Sequence, residues 1–231
     1  MFNQSMVQSG DELKGFGPTV EAPRFATEAR SVRRLKHARC EGPGCVTLFE
    51  YLSVATSIVL SLSVTQVLSS LRAVFHSGRR YWVHAIWTVL VLILHLIIWW
   101  AFWAYRDVES WNLATFALVL FNPGVLFVAS NTLVNREPNV ESWAEHYFAI
   151  RRPFFATFGL IPLGTLLRDG ILFGTPVLIP GHLPEAFTVI ISVVGWSSES
   201  RRIHALLAPT FLLAIVGGAA YVWFQPGGVA S

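Results

Sequence analysis

Apolar positions fall in long runs from residue 46 onward, parted by short polar breaks. A bilayer core of about 30 Å takes about 20 apolar residues to cross as a helix. Runs of roughly that length occur at 47–73, 82–105, 111–134, 153–173 and 203–224, and a shorter one at 183–198. Residues 135–152 read as a polar loop. The pattern predicts an all-α membrane protein: six transmembrane helices arranged as three helical hairpins. The fifth run is short enough for a re-entrant segment, and Pro180-Gly181 just before it suits a loop, so five spans is the alternative.

Composition fits this reading. Of 231 residues, 53% are hydrophobic and only 13% charged, against about 25% charged in soluble domains. Nine Trp suit the membrane–water interface. The net charge of +3 is small, and its basic residues cluster at the ends of apolar runs and in the N-terminal tail, which is no nucleic-acid footprint. The lipid bilayer is the expected partner. The only cysteines, Cys40 and Cys45, lie in the tail, far from a disulfide framework.

Residues 1–45 are polar, aperiodic and without an apolar signal-peptide core, and we read them as a disordered tail ahead of a membrane domain at 46–231. The apolar part opens at Val46, a residue whose GTG codon can start translation in bacteria. Placement of arginines gives the orientation. Loops 72–81, 135–152 and 199–202, with their run boundaries, carry Arg72, Arg79, Arg80, Arg136, Arg151, Arg152, Arg201 and Arg202. The opposite loops carry Arg106 and Arg168. The first set is therefore expected in the cytoplasm. That puts the N-terminus outside, which a basic tail would resist, and a start at position 46 removes the conflict.

An arginine pair precedes three returning helices, in GRRYWVHA, AIRRPFFA and ESRRIHAL. With VTLFEYLS and HYFAIRR, these motifs resemble a group of bacterial six-helix integral membrane proteins with no established activity, over about residues 46–224. The resemblance implies an inner-membrane location, this architecture and a chain start at the equivalent of Val46. It implies nothing about chemistry.

Polar side chains inside spans are candidate functional groups, because hydrocarbon tolerates them poorly. In the first span, Glu50, Ser53, Ser57 and Ser61 fall on one face at about 100° per residue; the stripe suits either close helix packing or a polar pathway. In the second, His84, Thr88 and His95 share a face. His95 sits roughly 21 Å from the helix start at 1.5 Å per residue, and its ring needs a partner there. Ser57, Ser61 and Asn122 are the expected partners. Asn122-Pro123-Gly124 interrupts the third span, freeing the Val119 carbonyl. Pro162 and Gly164 make the same argument in the fourth. Arg168-Asp169 near its outer end is explained by snorkelling. Arg79, Arg80, Arg151, Arg152, Arg201 and Arg202 are candidate contacts for anionic lipid head groups. His76, His84, Glu145, His146 and His204 gather toward the same face.

The sequence carries no metal-ligand signature, P-loop, dinucleotide fingerprint or nucleophile elbow, so no catalytic residue, metal or cofactor is assigned. The polar stripes and interrupted helices favour a small permease or transport-associated protein. A non-catalytic scaffold or sensor subunit is the alternative, and a membrane-embedded enzyme or redox protein ranks last.

Overall fold

The computed structural model describes residues 47–76, 81–108, 111–134 and 142–223. The tail, with Cys40, Cys45 and the suggested start at Val46, lies outside them. So do Arg79, Arg80 and Arg136. Among the described residues the chain is all-helical and forms six helices, of which five are long and apolar enough to cross a membrane.

Three of the six helices start where a side chain satisfies the first free N–H groups. Helix α1 (Leu48–His76) opens with a reciprocal pair: Thr47 N–H donates to Glu50 Oε2 at 2.8 Å, and Glu50 N–H to Thr47 Oγ1 at 3.2 Å. Helix α2 (Trp82–Ala101) continues as a 3-10 helix, Phe102–Asp107. Helix α3 (Leu113–Leu133) is closed by a capping box between Asn112 and Thr115. Helix α4 (Trp143–Leu172) breaks at Gly159 into Trp143–Phe158 and Leu160–Leu172. The break has a local cause: Pro162 has no N–H to give the Phe158 carbonyl four residues back. Its C-terminus is sealed by Gly174 at φ 64°, which lets Thr175 N–H reach the Asp169 carbonyl at 3.0 Å. Helices α5 (Leu183–Ser197) and α6 (Arg201–Trp223) complete the chain.

One boundary differs from the sequence reading by more than two turns. Helix α4 begins at Trp143, ten residues before the expected start, so Arg151 and Arg152 lie within a helix and not in the loop before it. Ser142 is the N-cap, accepting from Glu145 N–H, and S-x-x-E is a sequence signal for a helix start. Helix α5 keeps its expected limits; with 15 residues it is about 22 Å long at 1.5 Å per residue, short of a bilayer core of about 30 Å.

The three sequence-adjacent pairs, α1–α2, α3–α4 and α5–α6, pack together as hairpins. Helix α1 also packs extensively on α3, α5 on α4, and α6 on α2. Contacts therefore close a ring in the order α1, α3, α4, α5, α6, α2.

The ring's interior differs between its two ends. At the end carrying Arg151, Trp87 is fully buried against Phe154, Phe155, Phe158 and Phe211, at ring-centroid distances of 5.0–5.6 Å. These five rings form an aromatic plug from α2, α4 and α6. Helix α5 approaches it through Gly195, where any Cβ would overlap the Phe155 ring. Outward faces carry Leu62, Leu96, Leu163, Val193 and Leu213, all exposed, as lipid-facing positions should be.

Candidate functional site

The end opposite the plug holds a cavity of about 240 Å³. It is enclosed by the C-terminal half of α2, the middle of α3, the second half of α4, the start of α5 and Ile215 of α6. Its wall is mostly aliphatic and aromatic. The polar members are Asn122, Thr165, Arg168, Glu185 and Thr188, with Tyr105.

Helix α3, continuous through Pro123, and α4, broken at Gly159, set the positions of these groups. Asn122, one residue before Pro123, is buried and donates from Nδ2 to Thr165 Oγ1 at 2.9 Å. Gly164 makes that approach possible, because a Cβ there would overlap Asn122 Oδ1 and the Phe121 ring. Arg168 Nε donates to Asp169 Oδ1 at 2.7 Å, and its guanidinium lies 5.9 Å from the Tyr105 ring centroid. The other Asp169 oxygen faces His182 Nε2 at 3.5 Å. His182 is fixed by donating from Nδ1 to the Val177 carbonyl at 2.9 Å. Asp169 thus serves two basic groups, one on each oxygen. Glu185 Oε2 is shielded from solvent and has no hydrogen-bond partner among the described residues.

Of the polar groups expected from the sequence, Asn122 alone lines this cavity. His95 sits elsewhere, between α1 and α2. Its Nδ1 donates to the Val91 carbonyl and its Nε2 accepts from the Ser63 hydroxyl, both at 2.6 Å. A carbonyl can only accept, so the tautomer is assigned from these partners. The partner is on the expected helix but is a different serine. Ser57 and Ser61 face outward, and the Ser61 hydroxyl bonds its own helix at the Ile58 carbonyl, 3.0 Å. The buried polar stripe of α1 is Thr56, Ser63 and Ser70. Both stripes have helical spacing, and packing against α2 and α3 selected between them. Glu50 is exposed and occupied by the α1 cap.

His95→Leu leaves the buried Ser63 hydroxyl without its acceptor. It is expected to cost about 1–2 kcal/mol of stability, the range for polar contacts between membrane helices. His95→Gln keeps an acceptor and a donor and should retain most of it. Circular dichroism of unfolding in mixed detergent–SDS micelles reads the difference.

The Arg151 end gathers a second polar cluster. Tyr147 O–H donates to His204 Nδ1 at 2.8 Å, and His204 Nε2 donates to the Ser198 carbonyl at 3.0 Å. His84 is fully buried, with its ring 5.0 Å from Trp143 and 5.7 Å from His146. Neither of its ring nitrogens has a hydrogen-bond partner among the described residues. Thr88 donates back to the His84 carbonyl at 2.9 Å. Burial pushes the Tyr81 hydroxyl above the usual phenol range, with Arg201 opposing it. Among the described residues no group of three His, Cys, Asp or Glu is placed to hold a metal ion.

Arg151 is turned inward and is not offered to lipid. It donates to the Ser198 carbonyl at 3.1 Å and the Phe148 carbonyl at 2.8 Å, and pairs with Glu199. It therefore ties α4 to the α5–α6 connection. Arg152, Arg201 and Arg202 are exposed.

The sequence reading assigns Arg168 to snorkelling and does not single out His182 or Glu185. The usable signal is a charged residue within or beside an apolar run. What it lacks is the neighbour: residues 105, 122, 168 and 185 meet only through the packing of α2, α3, α4 and α5.

Fold and cavity together define a multi-pass all-α membrane protein with a small, mostly apolar chamber that carries a few polar groups, at the end opposite an aromatic cluster. Set against protein-family models, curated proteins and solved structures, the chain matches none.

Proposed function

We propose that this chain is a small-solute-binding, transport-associated protein of a bacterial inner membrane. The carrying observation is the chamber itself: five helices surround about 240 Å³ with charged and amide groups on an otherwise apolar wall. Convergent polar groups in an apolar pocket are the usual form of a small-molecule site. A membrane helix broken beside it, at Gly159, is the setting in which transporters place such sites. The aromatic plug fills the ring toward the Arg151 end, which favours access to the chamber from the opposite side.

The arginine distribution supports an orientation with the Arg151 end in the cytoplasm. Exposed Arg201 and Arg202 are then available to anionic head groups at that surface, while Arg152 lies 3.6 Å from Glu199. The chamber belongs to the outer half.

Single cysteines in a background lacking Cys40 and Cys45 test both statements. A small membrane-impermeant thiol reagent applied from outside is expected to label a cysteine introduced at Asp107 and one at the chamber residue Ile98, and to spare one at Arg202. Labelling at position 202 but not at 107 overturns the orientation. An unreactive position 98 beside a reactive 107 marks a dry packing gap, and the scaffold or sensor alternative then replaces solute binding.

A further inference from the structure

We infer that the solute carries a primary or secondary ammonium group, with Glu185 as its counter-charge. The inference rests on the solute-binding reading and adds its chemical class. It follows from how the charges at this end are paired. Arg168 lines the chamber but is already engaged, on Asp169 Oδ1 and over the Tyr105 ring. His182 is directed at the second Asp169 oxygen. One carboxylate therefore occupies both basic groups. Glu185 also lines the chamber, yet no Arg, Lys or His lies within ion-pair distance of it among the described residues. Its Oε2 has no donor.

Glu185 is partly buried, and the basic groups nearest to it, Arg168 and His182, are directed at another carboxylate, so a ligand that brings a cation is favoured over one that brings an anion. An ammonium group also supplies N–H donors, which suits the rest of the wall. The Thr188 hydroxyl spends its proton on the Pro184 carbonyl at 2.7 Å and can accept with its lone pairs. The remaining wall is mostly apolar and fits an alkyl body. The volume is below the roughly 300–1,000 Å³ of drug-sized pockets, which limits that body to a short chain.

The test uses the full chain in lipid nanodiscs with the single reporter Ile98→Cys, and measures protection of this thiol from labelling. Three probes of equal length differ only in charge: n-hexylammonium, hexanoate and hexan-1-ol. Hexylammonium is expected to slow labelling at position 98 at least tenfold while leaving a cysteine in place of Asp107 unaffected. Hexanoate and hexanol are expected to leave position 98 unprotected. Glu185→Gln, close in shape, should abolish the protection without changing the unprotected labelling rate. Equal protection by hexanoate, none by hexylammonium, or protection that survives Glu185→Gln overturns the ammonium assignment. The probe series needs no change at Glu185, so it decides the sign of the charge even if that variant misfolds. A reporter thiol that reacts but is not protected removes the ammonium class alone. A reporter thiol that never reacts removes solute binding with it.

Discussion

Trp87→Ala is expected to be among the most destabilising single substitutions in this protein. The indole is fully buried and touches Phe154, Phe155, Phe158 and Phe211, so one side chain joins α2 to α4 and α6. Truncating a buried Trp or Phe to Ala costs about 3–5 kcal/mol in soluble proteins, partly from transfer and partly from the void left behind. Between membrane helices the transfer part falls away, because lipid is as apolar as the core. The packing and cavity part remains. The expected loss is therefore near the lower end of that range, read as a shift in the SDS unfolding midpoint. Trp82→Ala is the control. Trp82 begins the same helix but is 51% exposed, and its loss should stay within about 0.5 kcal/mol, as for surface substitutions. Equal effects at the two positions would show that the plug does not hold the helices together.

The second large effect is expected at Gly164. Helices α3 and α4 approach so closely there that a Cβ would overlap both Asn122 Oδ1 and the Phe121 ring. Gly164→Val must push the helices apart or break the Asn122–Thr165 hydrogen bond. Overpacking of this kind typically costs about 1–3 kcal/mol. It also reshapes the chamber, since Asn122 and Thr165 line it. Both unfolding and labelling of the Ile98→Cys reporter should therefore change. Gly124→Ala provides the contrast. Gly124 is also within a span, but a Cβ added there would meet nothing within 4 Å. A Gly→Ala change without strain stabilises by about 0.4–1 kcal/mol through the unfolded chain. A stable Gly164→Val protein with unaltered labelling would contradict the close α3–α4 contact.

These two glycines show where sequence reading stops. Both sit in apolar runs, and spacing does not distinguish the one under Asn122 from the one in open space. The same holds for the serines of α1. Ser57, Ser61 and Ser63 are all chemically suited to His95, and only the rotation of α1 against its neighbours puts Ser63 at 2.6 Å. The start of α4 is a different case: Ser142 and Glu145 announce it locally, and the polar character of residues 143–152 masks the signal.

The sequence by itself determined the helical, membrane-spanning class and the approximate limits of most helices. Hydrocarbon excludes unpaired backbone, so a long apolar run has one structural outcome whatever its neighbours are. It also marked His95 as a buried group in need of partners, which follows from bonding capacity alone, whereas α3 runs unbroken through Pro123, where the sequence suggested an interruption. Tertiary structure decided everything that depends on which faces meet. It filled one end of the ring with Trp87 and four phenylalanines and left the other end open around Asn122, Arg168 and Glu185. It paired Asp169 with both Arg168 and His182, which leaves Glu185 without a direct ion pair among the described residues. A charge pair or a cavity is a relation between helices far apart in sequence, and the period of a single helix carries no information about it.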